Sequence, residues 1–406
     1  MGRLSVVGGT LALLLPGSAS AADTPPQALT LSVRETADVW ADVSGGIDPG
    51  VTAMNKAEVS ATFNGEAVGL DGFRGHVQVF RTDGASLTAR TGDIQTISNI
   101  EAVNVTRLFE TWAEQQFGKK DAGGVSIRAG LIDLNSEFDS IDPASLFVNS
   151  SHGIAPDLSK SGRNGPSIFP VSSAAIRAEW TPSERWSFRL AAFDGVPGDP
   201  NRPAAFAAVR LYSKSGALLI GEVNWKPARD VKAALGMWHY TGTLDRIDGS
   251  GTSRSGRGAY AFAAAPIPHT SGWSGWLRAG VADGSVQSVS GYVGAGITAK
   301  GLLPDRKDDR FGIAIAHAII GDAARRTNML PAAETTIEAT YQLKLSDSFT
   351  IQPDVQYVIH PASAPGTRNA LVFGLRFVFT GNFPKDAPPD EVADPTAAPD
   401  APDAPK

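Results

Sequence analysis

Cysteine is absent from the sequence, and methionine occurs only 4 times in 406 residues. Without cysteine an exported chain cannot form disulfides, so its stability must come from extensive packing or from closure of a sheet. Beyond the N-terminal segment, the sequence also lacks an apolar run long enough for a transmembrane helix. The net charge is −6 and the basic residues are scattered, which argues against nucleic acid as a partner. The 43 glycines favour a protein of sheets and turns.

The N-terminus has the features of a secretory signal peptide. Arg3 supplies a positive charge, a short apolar run follows at 4–15, and the sequence ASA at 19–21 has the small residues of a cleavage site. The apolar run is too short to span a membrane. We therefore predict a signal peptide over 1–21, with cleavage before Ala22.

The C-terminus has a different composition from the rest of the chain. From Pro384 onward it reads PKDAPPDEVADPTAAPDAPDAPK, which offers almost no apolar surface to bury. Such a composition is typical of a disordered or polyproline-like segment. We predict an acidic tail over 384–406, and a single folded domain over 22–383.

Most of the remaining chain alternates between apolar and polar residues. This period of two is the pattern of a β-strand with one apolar and one polar face. In the last such segment, Phe373, Leu375 and Phe377 share one face while Arg376 lies on the other. The pattern predicts sixteen strands, at 28–43, 55–69, 73–84, 106–118, 124–139, 173–183, 186–197, 216–227, 230–242, 257–268, 272–284, 288–301, 309–321, 334–347, 349–361 and 369–381.

The connections between these strands alternate in length. Those after even-numbered strands are short, and most of those after odd-numbered strands are long, at 44–54, 85–105, 140–172, 198–215, 243–256 and 322–333. This alternation is typical of an up-and-down transmembrane barrel with tight periplasmic turns. A Greek-key β-sandwich is not expected to alternate short and long connections in this way. The sequence therefore predicts an all-β protein, a transmembrane antiparallel up-and-down β-barrel of about 16 strands, with both termini in the periplasm.

Four tryptophans support this prediction. Trp180, Trp186, Trp225 and Trp273 all lie beside predicted short turns and share the apolar parity of their strands. Tryptophan is enriched where a barrel meets the lipid headgroups, as an aromatic girdle. The apolar face is therefore expected to contact lipid, and the polar face to line a lumen.

Strand parity then predicts which side chains line the pore. Charges of both signs are interspersed among them, which suits a neutral, hydroxyl-rich solute better than an ion or a phosphate. An inward Trp112 could stack on a sugar ring, although a β-bulge could instead turn it toward lipid. The candidate pore-lining and substrate-binding residues are Glu110, Trp112, Glu114, Arg128, Arg177, Glu179, Glu222, Arg278, Asp354 and Gln356.

The longest connection, 140–172, is predicted to fold inward as a constriction loop. Its length and its position after the fifth strand suit that role, while a solvated surface loop is the alternative. Its candidate pore charges are Asp142, His152, Asp157, Lys160 and Arg163.

Catalytic motifs are missing. The six histidines lie far apart, and no metal-ligand spacing, nucleophile elbow or phosphate-binding loop occurs. The sequence therefore predicts a protein that is not an enzyme and has neither a metal nor a cofactor. Two alternatives to a porin stay open: a secreted β-sandwich that binds carbohydrate, and an outer-membrane barrel hydrolase whose catalytic residues are not adjacent in sequence.

Several segments, in the same order, resemble the OprB-type carbohydrate-selective porins. The resemblance implies a sixteen-stranded outer-membrane barrel that admits glucose and related sugars by facilitated diffusion, with inward loops and an eyelet lined by Arg, Glu and aromatic side chains. The expected partners are transported sugars, outer-membrane lipid and the barrel-assembly machinery, with a homotrimer left open. The segments are LFETWAEQQF (108–117), VSIRAGLIDLNSEF (125–138), LFVNSSHG (146–153), WTPSERWSFRLAAFDG (180–195) and QPDVQYVIHP (352–361).

The composition of the tail leads to a first prediction. Truncation after Phe383 should leave assembly of the barrel intact, because the residues removed carry no strand pattern and no apolar surface. The measurement is heat-modifiable migration of the membrane-extracted protein on a gel. Loss of the fast-migrating folded form would show that the tail is needed for assembly.

Overall fold

The computed structural model describes residues 27–119, 123–207, 209, 211, 216–254 and 256–385. Within these residues, sixteen antiparallel strands form one closed barrel in sequence order. The number and order of strands predicted from alternation are therefore confirmed. The predicted signal peptide and nearly all of the predicted tail lie outside the described residues.

The strands are β1 Leu29–Gly46, β2 Gly50–Asn64, β3 Phe73–Gly84, β4 Val105–Phe117, β5 Gly124–Ile132, β6 Ser173–Ser183, β7 Trp186–Asp194, β8 Ala217–Ala228, β9 Val231–Tyr240, β10 Arg257–Pro266, β11 Trp273–Ala282, β12 Val289–Lys300, β13 Arg310–Ile320, β14 Ala333–Ser346, β15 Phe349–Ile359 and β16 Arg368–Phe383.

The barrel closes through the pairing of its first and last strands. Asp38 of β1 is the register partner of Arg376 in β16 and of Met54 in β2. Each barrel strand therefore has a hydrogen-bonded neighbour on both sides, and no strand edge is left for a polar backbone to face lipid. A β-sandwich consists of two separate sheets, so the alternative of a secreted sandwich is wrong.

The two faces of each strand differ as the alternation predicts. In β15, Gln352, Asp354 and Gln356 are at most 5% exposed and point inward, whereas Tyr357 is 39% exposed on the outside. In β16 the outward Phe379 is 58% exposed. The apolar face therefore lies outside the barrel and the polar face lies inside, as expected of a barrel with lipid around it.

Aromatic side chains line the rim that carries the short turns. Trp186 and Trp225 are cross-strand partners, and their rings stack with centroids 6.1 Å apart. Trp180 stacks on Phe188 at 5.3 Å. These rings are about half exposed on the outer surface, where a girdle at headgroup level belongs. Trp273 begins β11 at the same rim.

The observed connections keep the alternation in length, with one clear correction. The predicted long connection at 44–54 is in fact the tight turn 47–49, because β1 extends to Gly46 and β2 begins at Gly50. Gly45 and Gly46 have φ of 84° and 59°, and a Cβ at Gly45 would collide with the carbonyl oxygen of Asn369. Only glycine allows this close approach, and the sequence pattern did not predict it.

Two other strand ends differ from the prediction. β5 ends at Ile132 rather than 139, because the Asp133 side chain accepts the backbone N–H of Asn135 at 3.0 Å and turns the chain. The loop that follows is therefore 133–172. β2 ends at Asn64, whose side chain accepts the N–H of Glu66 and caps a 3₁₀ turn.

Helical structure is confined to the connections. Among the described residues, no helix has both the length and the apolar character needed to cross a bilayer. A small ribbon pairs Leu244–Asp245 with Thr252–Ser253. The short helices are the 3₁₀ turns Gly65–Val68 and Asp142–Leu146, and the α-helical turns Thr88–Thr91, Ser150–Gly153, Pro156–Ser159 and Asp322–Asn328.

Candidate functional site

Loop 133–172, which we call the constriction loop, lies inside the barrel. Its backbone N–H groups at Val148 and Asn149 donate to the two carboxylate oxygens of Glu338 on β14, at 2.6 and 3.0 Å. The amide of Gln352 on β15 donates to the carbonyl oxygen of Leu146 at 2.8 Å. The loop leaves β5 and returns to β6, yet it binds inward side chains of β14 and β15, so it crosses the lumen.

A second inward loop, 85–104, was not predicted from the sequence. The Glu334 carboxylate on β14 accepts the N–H groups of Ile94 and Gln95, at 2.8 and 3.0 Å. Ile97 and Ile100 of this loop are buried. The apolar residues within this long connection could have indicated that it folds inward, because a loop surrounded by solvent does not need them.

Guanidinium and carboxylate groups anchor the constriction loop to the wall formed by β4, β5 and β6. Glu137 of the loop contacts Arg128 Nη1 at 2.5 Å and Arg177 Nε at 2.9 Å. Glu114 of β4 accepts from both arginines, at 2.9 and 2.5 Å. Burial raises the pKa of Glu137, but Arg128, Arg177 and Arg189 outweigh burial and hold it below its ordinary value. Glu137 is therefore a carboxylate, and its charge is neutralised within the protein.

The same row of charges continues onto β7. Arg189 donates to the carbonyl oxygen of Glu137 at 2.6 Å and to the carboxylate of Glu179 at 2.9 Å. The side chains of Arg189 and Glu179 are 25% and 19% exposed, whereas Arg177 is 3% exposed. The row therefore ends in a guanidinium and a carboxylate that a solute can reach. We call it the charge ladder: Glu114, Arg128, Glu137, Arg177, Glu179 and Arg189.

A second anchor joins the constriction loop to β11. Arg278 contacts Asp139 at 2.9 Å and also pairs with Asp157, and all three side chains are almost completely buried. Glu222 of β8 accepts the N–H of Asp139 at 2.9 Å and the hydroxyl of Tyr260 at 2.6 Å. Burial raises the pKa of Asp139 to about 6, with Arg278 acting against burial. Glu222 and Arg278, which the sequence predicted as pore-lining, therefore hold the loop. Asp157, predicted as a charge of the constriction loop, is the partner of Arg278 in this anchor.

His152 lies in the packed interior of the constriction loop. Its ring is 5.0 Å from Phe147 and 5.4 Å from Trp276, and its Nε2 is 3.5 Å from Glu338. Burial lowers its pKa to about 3. A pKa this low favours the uncharged ring at neutral pH, so the structure gives no support to the prediction that His152 supplies a pore charge.

The other predicted loop charges lie in different surroundings. Asp142, Lys160 and Arg163 are exposed, and Arg163 approaches Asp245 of the small ribbon at 3.9 Å. These three side chains do not join the buried anchors.

Trp112 points into the barrel but offers no free ring face. The Arg128 guanidinium carbon lies 3.7 Å from its ring centroid, and the His76 ring stacks at 5.2 Å with an interplanar angle of 19°. A bulge is present in β4, with the register shifting opposite Gln78 and Val79 of β3, but Trp112 stays inside at 4% exposure. These contacts suit a ring that orients Arg128. Because Arg128 and His76 cover the ring, we do not propose Trp112 as a stacking platform for sugar.

The remaining predicted residues also lie inside and contact the loops. Glu110 accepts the N–H of Asp133, where the constriction loop begins, at 3.0 Å. Gln356 accepts from Asn149 at 3.0 Å and donates to Asp354 at 3.1 Å. Within the described part of the chain, no group of three or more His, Asp or Glu side chains is placed to hold a metal ion.

Two lumen charges on β2 were not predicted from the sequence. Lys56 contacts Glu58 at 2.8 Å, and their side chains are 16% and 10% exposed. Gln78 of β3 donates to Glu58 at 3.0 Å. The sequence KAEVSATF at 56–63 could have indicated this. Lys56 and Glu58 lie on the opposite strand face from the apolar Val59 and Phe63, which is the lumen face.

The buried His152 leads to a pH prediction. Its folded pKa of about 3 lies below the ordinary 6.5, so the contribution of His152 to the inward position of the constriction loop is fully present above pH 6.5. As the pH falls from there toward 3, the equilibrium for loop opening should rise by up to about tenfold per pH unit. Hydrogen exchange of the loop amides, corrected for intrinsic rates, measures this equilibrium.

The matched control for this prediction is His152→Gln, which cannot titrate. Asp139 has the opposite effect on loop opening. Its pKa is about 6 with the loop inward and 3.8 ordinarily, so a fall in pH from about 6 to 3.8 stabilises the inward position. The quantity to read is therefore the difference between the native and His152→Gln profiles. Identical profiles would contradict the assignment to His152.

Comparisons with known proteins agree with this architecture. The profile of the carbohydrate-selective porin OprB family matches residues 55–380. Porin B of Pseudomonas aeruginosa is 23% identical over 332 residues, which cover 71% of each chain. The high-pH structure of Pseudomonas putida OprB has a TM-score of 0.76 at 18% identity, covering 87% of this chain and 94% of that one. The DcaP channel of Acinetobacter baumannii has a TM-score of 0.54 at 11% identity, covering 87% and 96%. Since the family match extends over most of the sequence, the chain belongs to the OprB family of carbohydrate-selective porins, which are channels of the outer membrane.

Proposed function

We propose that the protein mediates facilitated diffusion of neutral, glucose-like sugars and catalyses no reaction. The observation that carries this proposal is the charge ladder, in which guanidinium and carboxylate groups alternate along one wall of the lumen. The constriction loop contributes Glu137 to this ladder, and the loop 85–104 contacts inward side chains of β14 and β1. We place the path of the solute beside the accessible end of the ladder, where Arg189 and Glu179 keep exposed surface.

The chemistry of the ladder favours a hydroxyl-rich solute over an ion. A sugar hydroxyl can donate to Glu179 and accept from Arg189 at the same time, because the two groups lie 2.9 Å apart. Opposite charges at that distance largely cancel, so neither cations nor anions meet a strong field of one sign. Lys56 and Glu58 form a similar pair on β2.

Binding at such a site must be weak enough for release. A charge-assisted hydrogen bond contributes about 1.5–3 kcal/mol, but Arg189 and Glu179 already bind each other, so a sugar gains only part of that. A dissociation constant of about 1 mM corresponds to about −4.1 kcal/mol. Affinity of this order allows both entry and exit, as a channel requires.

The proposal also covers export and assembly. An even number of strands puts both chain termini at the rim of the short turns, which in such barrels is periplasmic. A cleaved signal peptide over 1–21, insertion by the barrel-assembly machinery and association into a homotrimer complete the proposal.

The test is liposome swelling with sugars and with amino acids of similar size. We expect glucose to enter faster than the amino acids, and Arg189→Gln or Glu179→Gln to reduce this preference by up to about tenfold, equivalent to about 1.4 kcal/mol. Arg229→Gln is the matched control, because Arg229 lies in a periplasmic-type turn and is 67% exposed. Equal entry of all solutes, or unchanged preference in both ladder variants, would contradict the proposal.

A further inference from the structure

The wall of the barrel changes in character where the constriction loop leaves it. β4 pairs with β5 only from Phe117 up to Thr111, and β5 ends one residue after its last partner, at Ile132. β4 continues to Val105 at the rim opposite the short turns. On the side of β5, residues 105–110 are therefore covered by two segments outside the strands, 169–172 and 203–206. We call these three segments the seam.

Hydrogen bonds to irregular backbone, rather than a strand ladder, close the seam. The backbone N–H of Leu108 donates to the carbonyl oxygen of Phe206 at 2.8 Å. The hydroxyl of Ser172 donates to the carbonyl oxygen of Phe109. These contacts satisfy polar groups of the β4 edge, as a barrel wall requires. Because they do not belong to a ladder, they can break without unpairing two strands.

Arg107 joins the two covering segments. Its guanidinium donates to the carbonyl oxygen of Pro170 at 2.8 Å and to that of Pro203. Arg107 is 6% exposed, and within the described part of the chain no carboxylate pairs with it. A buried charge is normally paired with an opposite charge, as in the two anchors of the constriction loop. The seam is therefore held less firmly than that loop.

Aromatic rings form an apolar path from the lumen to the seam. The Lys56 ammonium, which lines the lumen, lies 4.6 Å from the ring centroid of Phe169. The Phe80 ring is 5.1 Å from Phe169 and 5.5 Å from Phe109, which belongs to the seam. On the outer surface of the seam, Phe206 is 51% exposed. Apolar side chains are thus present on both sides of a wall that lacks a strand.

The seam lies at the depth of the outer leaflet. Phe117, at the periplasmic-type end of β4, is 54% exposed. With a rise of about 3.4 Å per residue and a tilt of about 40°, Leu108 lies roughly 20 Å above Phe117, within an apolar band about 25 Å tall. Irregular backbone at such a depth is tolerated only where protein covers it or where it lines a cavity. An opening at the seam would connect the lumen with lipid.

We propose that the seam is a lateral portal through which small apolar molecules pass between the lumen and the outer leaflet. Such a molecule gains no hydrogen bonds from Arg189 and Glu179, but it gains burial against the rings of Phe169, Phe80 and Phe109. The portal is a function additional to the proposed sugar transport. It does not depend on that transport, because the seam and the charge ladder share no residue.

The absence of native cysteine permits a reversible lock of the seam. Leu108→Cys and Phe206→Cys are combined in one variant, because the backbone contact of 2.8 Å brings their Cα atoms within the usual range for a disulfide. The matched control combines Ala261→Cys with Ala279→Cys, an outward-facing register pair of β10 and β11 far from the seam.

The measurement is entry of the apolar fluorophore N-phenyl-1-naphthylamine into intact cells that produce each variant, before and after dithiothreitol. We expect the oxidised seam variant to admit the fluorophore severalfold more slowly than its reduced form, because the disulfide holds the portal shut. The control pair should show no such difference. Liposome swelling with glucose should be the same for the oxidised and reduced forms of both variants.

Arg107→Gln tests the portal without a cross-link. Loss of the guanidinium frees both covering segments, so entry of the fluorophore should rise severalfold, while heat-modifiable migration and glucose swelling stay unchanged. Equal entry before and after reduction of the seam disulfide would overturn the inference, as would unchanged entry in a folded Arg107→Gln barrel. A disulfide that slowed glucose as much as the fluorophore would also overturn it, since the seam would then serve the sugar path.

Discussion

Within a bilayer, every backbone N–H and carbonyl of a strand must find its partner inside the protein, and the pairing of β1 with β16 meets that requirement. Closure fixes the rest of the architecture. It gives each strand one face toward lipid and one face toward the lumen, so alternate polar residues are brought inside. The interior of this barrel is therefore polar as a consequence of closure. Its buried charges require partners of opposite charge.

The inward loops supply those partners. Glu137 and Asp139 of the constriction loop meet Arg128 and Arg278 of the wall. Removing one member of a buried ion pair typically costs about 3–5 kcal/mol, because the other charge is left uncompensated. The loop and the wall thus stabilise each other, and the narrowing of the lumen follows from the neutralisation of its charges.

The accessible end of the charge ladder links this arrangement to transport. Its deeper members are buried and paired with one another or with Glu137 of the loop, whereas Arg189 and Glu179 keep exposed surface. The same contacts that hold the loop also fix the orientation of these two side chains, since Arg189 donates to the backbone of Glu137. A fixed guanidinium and carboxylate can recognise hydroxyl groups without the cost of being ordered by the solute.

Much of the fold was predictable because period-two alternation is a local property of the sequence. It predicted all sixteen strands and the inward direction of residues such as Arg376. The end of β5 was wrong because Ile132, Leu134 and Phe138 continue the alternation, although the structure buries Leu134 and Phe138 in the loop.

The contacts of the site were not predictable in the same way. The bond from Ile94 to Glu334 joins residues far apart in the sequence, and no local pattern encodes it. For the same reason, parity gave the inward direction of Trp112 but not the side chains that cover its ring.

The central claim is that charge pairing holds the constriction loop across the lumen, and that this loop makes the barrel selective for sugars. Single-channel recording of a Glu137→Gln, Asp139→Asn double variant in planar bilayers tests it most directly. The account predicts a larger ion conductance and weaker block by glucose, because each of the two loop anchors loses one carboxylate charge while the barrel stays closed. Unchanged conductance and unchanged block, in a variant whose barrel is folded, would contradict it.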